Sequence, residues 1–417
     1  TAFIFSPVLR FDYLNFDDPG HIIDQPQIRS GQWRTLADAF LKENNVNKTY
    51  IPLTIVSFFI EKKIFGLSSA TSHALNLVLH LFVVSLVFLF AREMELSFTA
   101  SYAAAAIFAL HPMHVDPVAW ATGRKDVLYS FFYLLSLITY GRYRRTSRCD
   151  LYILSFVMGV CSVLSKPMAL SLPLVLLLID FAKFKSLGRR QILEKLPFFV
   201  AVFFIAGISY VMNSRPVPIE FPASFLIWGW HAFFYIKAFF WPVALSSLYG
   251  VPLPVSLSNP AYGGASLGLL AIALGFLVKK PGARWYAFAV IFYVISTFFL
   301  WRFDRFDILT VDNRYMYLSS LGLCLFVGFL IEKLLTKRRQ FGIFIVTFIF
   351  CFLCFFSVRQ ESYWRNSWTF WTHVIDTRSD LYFAYYMRAD AVVSESSYPV
   401  VRSDFERYVY SRLAILP

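Results

Sequence analysis

An all-α, multi-spanning membrane protein is the fold class this sequence predicts, on three observations. The first is composition. Of 417 residues, 58% are hydrophobic, 19% aromatic and only 16% charged, at mean hydropathy +0.57, where a soluble domain carries about 45–50% apolar and about 25% charged residues. The second is that apolar runs near bilayer-spanning length recur with few internal charges. The third is the placement of Lys and Arg in short loops between those runs. The net charge of +13 therefore reads as the positive-inside pattern and excludes a nucleic-acid partner.

In order along the chain, the runs are 72–92, 98–112, 126–142, 151–166, 168–182, 197–213, 264–279, 284–301, 315–335 and 341–357. With the opening "TAFIFSPVL", too short to cross and read as the remnant of a span, they give about eleven transmembrane helices. The basic loops "GRYRRTSR" (141–148), "KFKSLGRRQILEK" (183–195), "KKPGAR" (279–284) and "KRR" (337–339) belong inside. The acidic segments 11–26, 111–126 and 304–315 then share the outer face. The apolar segment 223–243 breaks the parity. It is read as a helix at the outer interface, anchored by Trp228, Trp230 and Trp241.

Residues 1–357 thus form the transmembrane domain, with a structured first outer loop at about 9–71. In that loop "IRSGQWRTLADAFLKENN" and "YIPLTIVSFFIEKKIFGL" read as helices along the membrane surface. Residues 358–417 form an extracytoplasmic segment, and two short amphipathic helices around a Ser/Pro turn give it the outline of one tetratricopeptide unit. The five cysteines build no framework, and the CxxC at Cys351 and Cys354 lies in an apolar run.

Chemistry concentrates on the outer side. Asp17 and Asp18 precede Pro19 and Gly20, so they stand at a turn, as working carboxylates or as a cap. His111, His114 and Asp116 lie within six residues of one another, as ligands for a divalent ion or an acceptor group, or as the caps of a polar hinge. Arg124 and Lys125 at one span end, Lys166 between two spans and Arg314 at the mouth of another suit a phosphate at the membrane surface, or simply reach to the interface. Arg124 and Arg314 are expected to converge.

These motifs, "NFDDPGHI" (15–22), "PLT" (52–54), "FGLSSATSHALNLVLH" (65–80), "HPMHVDPVAWATGRKDVL" (111–128), "LSKPMALSLPLVLLLID" (164–180), "NRYMYLSSLGL" (313–323) and "WRNSWTFW" (364–371), run in one order over nearly the whole chain. In that order the chain resembles C-type glycosyltransferases with C-terminal tetratricopeptide repeats, both the bacterial ones and the transmembrane-and-tetratricopeptide O-mannosyltransferases. It departs at Ile51, where a basic or aromatic residue is usual, and at Asn313, which interrupts an Asp-Arg-Tyr. About one repeat unit is present where an array is usual.

The resemblance implies a GT-C-like bundle that moves a sugar from a polyprenyl-phosphate donor to an acceptor, a protein hydroxyl, on the outer face. The membrane is the bacterial cytoplasmic membrane, or the endoplasmic reticulum membrane in a eukaryote. The resemblance also implies a carboxylate base in the first outer loop, here Asp17 or Asp18, with Arg124, Lys125, Lys166 and Arg314 on the lipid phosphate. A divalent metal ion is the one cofactor left open. A transporter or flippase of a lipid-linked substrate, which should show paired repeats and broken helices, and a non-catalytic assembly subunit on the same scaffold are the competing readings.

Overall fold

A computed structural model describes residues 1–41, 50–185, 187–213, 223–278, 282–300, 311–392 and 404. Over their described residues the predicted apolar runs are mainly helical. The helices are α1 Pro52–Phe65, α2 Ser69–Glu93, α3 Phe98–Leu110, α4 Arg124–Thr146, α5 Cys149–Ser165, α6 Leu172–Ala182, α7 Leu196–Asn213, α8 Ala223–Phe240, α9 Pro260–Gly275, α10 Ala283–Thr297, α11 Leu321–Lys337, α12 Arg339–Ser362, α13 Ser367–Thr377 and α14 Tyr382–Val392. All of "DRFDILT", part of "KKPGAR" and nearly all of the chain beyond α14 lie outside the described residues.

Local chemistry sets the helix starts. Ser68 accepts from the Thr71 N–H at 3.2 Å while its own N–H donates to Thr71 Oγ1 at 3.1 Å. This capping box opens α2. Among the described residues, Ser69–Glu93, Arg189–Val211, Ala283–Leu300 and Arg339–Ser362 are long and apolar enough to cross a membrane. The pair Asn313–Ser319 and Leu321–Lys337 would be a fifth crossing, bent by 62°. The run expected at 315–335 is therefore broken. α4 is 23 residues long, but Arg124, Lys125 and Asp126 at one end and Arg142, Arg144 and Arg145 at the other leave only a short apolar centre.

α4 lies against α5 and α2, and α11 against α3 and α10. Gly328 makes the α11–α3 approach close. A Cβ there would overlap Ala100 O and come within 3.0 Å of Ala104 Cβ. Small residues at such crossings let membrane helices pack backbone to backbone. Gly328→Leu is expected to cost about 1–3 kcal/mol by overpacking, read as a lower melting temperature in detergent. An unchanged melting temperature would mean the contact is slack.

At the end of the bundle that carries the basic loops, Asp180 is held by Lys195, Arg144 and the Tyr140 hydroxyl. Glu93 is paired with Lys183 at 2.6 Å and Arg145 at 2.7 Å. The charges there are thus partly internal, tying α2, α4, α6 and the start of α7 together.

Two surface expectations are corrected. The first helix expected in the outer loop is cut into short turns, Pro26–Ser30, Trp33–Thr35 and Asp38–Leu41. Gly31, at φ +61°, closes the first in the left-handed region that glycine alone enters freely. Of the three aromatic anchors expected around α8, Trp241 is exposed but Trp230 is buried in the main core. α8 is also pinned at its C-terminal half, where Tyr235 Oη accepts from Asp312 N at 3.1 Å.

The stretch after α12 holds an unanticipated helix. Asn366 Oδ1 accepts from Thr369 N at 2.9 Å, and this cap opens α13. Its buried face, Phe370, Trp371, Val374 and Ile375, joins Phe5, Val8, Phe11 and Leu14 of the N-terminal segment in one apolar cluster. α13 and α14 form a helical hairpin packed onto the N-terminal segment.

Candidate active site

The loop "NFDDPGHI" places its two aspartates in opposite directions. Pro19 opens a short helical turn, Pro19–Ile23, and successive side chains leaving such a turn diverge. Asp18 turns inward and is fully buried. It accepts from Leu14 N at 2.8 Å, Thr122 N at 3.0 Å and Thr122 Oγ1 at 2.5 Å. Burial pushes its carboxyl up to about 6 against the pull of those donors. Asp18 thereby ties the "NFDDPGHI" loop to the segment ahead of α4.

Asp17 turns outward, with its side chain a quarter exposed. Lys125 Nζ stands 3.7 Å from Asp17 Oδ2, and Arg314 Nη1 stands 4.0 Å from the same oxygen. Burial is the largest influence on this carboxyl and works upward. Lys125, then Arg314 and His21, work the other way, and the group lies below its ordinary value. His21, one turn on, is pushed down to about 3 by burial and then by Lys125, so it is neutral at pH 7.

The two cations share an aromatic floor. Lys125 Nζ lies 4.9 Å and the Arg314 guanidinium 4.8 Å from the Trp120 ring centroid, within cation–π range. Arg314 Nε is 2.7 Å from Asp312 Oδ2, an ion pair without an aligned hydrogen bond. Behind them the buried Lys166 is paired with Asp126 and faces Tyr129 at 5.7 Å and Tyr315 at 5.4 Å. Two cations, Lys125 at the start of α4 and Arg314 in the Asn313–Ser319 segment, therefore border one outward carboxylate, and Lys166 at the α5–α6 junction pairs with Asp126 behind them. Trp120, Asp126 and Asp312 complete the arrangement. The sequence signal for Trp120 was its place in "VAWATGRKD", between the His/Asp stretch and the basic pair.

Arg124 does not join this group. Its Nη2 donates to Glu61 Oε2 at 2.8 Å and to Ser72 O at 3.0 Å, its Nε bonds Asn76 Oδ1, and its guanidinium covers the Phe58 ring at 4.5 Å. The expectation that Arg124 pairs with Arg314 on a phosphate is corrected: neighbouring residues at a helix start point different ways, and Lys125 is the one that shares Asp17 with Arg314. Arg124 instead joins α4 to α1 and α2. Glu61, its partner, went unread because "FIEKK" looks like an ordinary surface turn of helix.

The expected metal or acceptor cluster is also corrected. His111 Nε2 bonds Phe239 O at 2.9 Å and its ring stacks on Phe239. His114 bonds Phe108 O at 2.7 Å and Ser320 Oγ at 2.8 Å. Asp116 accepts from Trp364 Nε1 at 3.1 Å and Asn313 Nδ2 at 3.2 Å. Each side chain is already spent on a separate neighbour, and among the described residues no three His, Cys, Asp or Glu side chains are grouped to hold a metal ion.

No family model matches the chain. Among curated proteins it is 23% identical over 381 residues to protein O-mannosyl-transferase F38B6.6 of Caenorhabditis elegans, covering 84% of this chain and 53% of that one. It is 28% identical over 191 residues to protein O-mannosyl-transferase TMTC1 of Mus musculus, covering 41% of this chain and 20% of that one. To TMTC3 of the mouse it is 33% identical over 133 residues, 30% of this chain and 14% of that one. The chain thus spans between about a seventh and a half of the relatives it matches.

Among solved structures it is similar to ArnT from Cupriavidus metallidurans bound to undecaprenyl phosphate, at 14% identity and TM-score 0.46, covering 97% of this chain and 73% of that one. It is similar also to the apo oligosaccharyltransferase of Archaeoglobus fulgidus, at 12% identity and TM-score 0.46, covering 98% and 60%. Scores this low carry no site residue across. The sequence matches and the helical, apolar architecture agree, and the chain is a multi-pass membrane protein that resembles the TMTC protein O-mannosyl-transferases.

Proposed function

We propose that the chain is a glycosyltransferase that moves a sugar from a polyprenyl-phosphate donor to a hydroxyl acceptor, a protein serine or threonine, on the outer face of the membrane. The observation that carries this reading is the convergence of Lys125 and Arg314 on the outward carboxylate of Asp17. The names of the relatives, all protein O-mannosyl-transferases, favour mannose and a protein acceptor.

In this reading Asp17 holds, in the free protein, the place that the donor phosphate takes between the two cations. When the phosphate draws Lys125 and Arg314 to itself, the Asp17 carboxylate loses its partners and becomes a stronger base. It accepts the acceptor hydroxyl's proton as that oxygen bonds the anomeric carbon. The bond from that carbon to the phosphate oxygen breaks, and the phosphate leaves with the electron pair. One displacement inverts the carbon and needs no enzyme nucleophile. Lys125, Arg314 and, behind them, Lys166 meet the charge on the leaving phosphate. The acidic segments and α13–α14 face outward, and the basic loops inward.

The test is transfer from a polyprenyl-phosphate sugar in nanodiscs. Arg314→Ala and Lys125→Met are each expected to weaken donor use about 10–100-fold, the range of one charge-assisted contact of about 1.5–3 kcal/mol. A folded parent chain that transfers no sugar from any such donor would overturn the reading.

A further inference from the structure

Asn15 stands two residues before Asp17, and its amide is fully engaged by the helical hairpin that follows the last long membrane helix. Its Oδ1 accepts from Trp371 Nε1 at 2.8 Å. Its Nδ2 donates to Met387 O at 2.9 Å and to Asp390 Oδ2 at 3.0 Å. Its backbone N–H donates to Ser367 Oγ at 2.9 Å. The residue between, Phe16, is set against Trp120 at 5.5 Å, Phe370 at 5.8 Å and Trp371 at 5.5 Å. Asp12 N adds a bond to Arg365 O at 3.0 Å. The stretch that leads to Asp17 is therefore indexed to α13 and α14, across more than 350 residues of sequence.

We propose that Asn15 is a positioning residue for Asp17, through which the C-terminal hairpin sets the orientation of the general base. This rests on the reading of Asp17 as that base. An asparagine amide offers two donors and an acceptor in one plane, so three directional bonds fix both the position and the rotation of the residue that carries them. Catalytic geometry tolerates only about 0.5 Å and about 10–20° of error. The cations Lys125 and Arg314 stand on other elements, α4 and the segment Asn313–Ser319. Loosening Asn15 should therefore displace the base and leave the phosphate grip in place. A partner or acceptor that engages α13–α14 would act on the base through this residue.

The experiment compares Asn15→Ala, Trp371→Phe and Asn15→Asp with and without Asp390→Asn, in the full chain in nanodiscs. Trp371→Phe keeps an aromatic ring in the apolar cluster and removes the N–H, at the cost of a smaller ring that lowers the melting temperature without unfolding the chain. The expected result is that Asn15→Ala and Trp371→Phe lower kcat about 10–100-fold at unchanged donor KM, in protein that is still folded at the assay temperature. Asn15→Asp, which sets two carboxylates face to face, should be inactive until Asp390→Asn supplies an amide donor. If folded Trp371→Phe keeps parental kcat, or if donor KM rises in step with the loss of kcat, the proposal is overturned; it decides the matter should Asn15→Ala not fold. A readout free of sugar transfer is the rate at which a water-soluble maleimide modifies the thiol introduced by Asp17→Cys. Adding Asn15→Ala should change that rate several-fold, and no change overturns the positioning role. A parent that transfers no sugar while this rate responds refutes the glycosyltransferase reading alone.

Discussion

Asp17→Asn is expected to lower kcat about 10²–10⁴-fold, the usual loss when a general base is removed, while the folded fraction is unchanged. The amide keeps the size of the side chain and one oxygen, but it takes up no proton. Donor binding should hold or tighten, because the substitution removes the carboxylate that occupies Lys125 and Arg314 in the free protein. Falling kcat with falling donor KM is therefore the signature. The acid limb of kcat/KM, which reports the free protein, should lie below the ordinary carboxylate value of about 3.9, since the net effect on Asp17 is downward. Near-parental turnover in Asp17→Asn, measured from a polyprenyl-phosphate donor, would assign the carboxylate a structural role.

Arg124→Ala should do the reverse, unfolding the protein rather than slowing it selectively. Arg124 and Glu61 are both almost wholly buried, and removing one partner of a buried ion pair leaves an uncompensated charge, at a cost of about 3–5 kcal/mol. Ser72 O and Asn76 Oδ1 lose their donor as well. Glu61→Gln with Arg124→Met, which removes both charges, should recover much of the loss. Thermal unfolding in detergent checks both variants. A folded Arg124→Ala with parental stability and a raised donor KM would return Arg124 to the phosphate.

The helices were legible because apolar runs are a bulk property: "LNLVLHLFVVSLVFLF" has few alternatives in a membrane. The position of Lys125 and Arg314 at span ends on the acidic side was legible for the same reason. What linear order did not show was direction. Arg124 and Lys125 are adjacent and equally basic, and only the turn of α4 sends one to Glu61 and the other to Asp17. Likewise His111, His114 and Asp116 look like a ligand set in one dimension, while in three each reaches a different helix. The grip of α13 and α14 on Asn15 joins positions far apart in sequence, and a single capped polar stretch, "RNSWTFWTHVID", carries no hint of which loop it will meet.

The bend between Asn313–Ser319 and Leu321–Lys337 gives Arg314 a lever. The short arm is seven residues, or about 10 Å at about 1.5 Å per residue, and the guanidinium swings at its far end. A rotation of about 10° at the pivot would sweep that end by about 2 Å on an arm of this length, half of the 4.0 Å that separates Arg314 from Asp17. The pivot is fastened where His114 meets Ser320 Oγ at 2.8 Å and Ser319 Oγ meets Ser296 O at 3.3 Å. His114 is thereby one of the contacts that hold the bend. Slackening that contact would not remove a charge from the site; it would put the electrostatics of the site out of alignment, with every charged group still present.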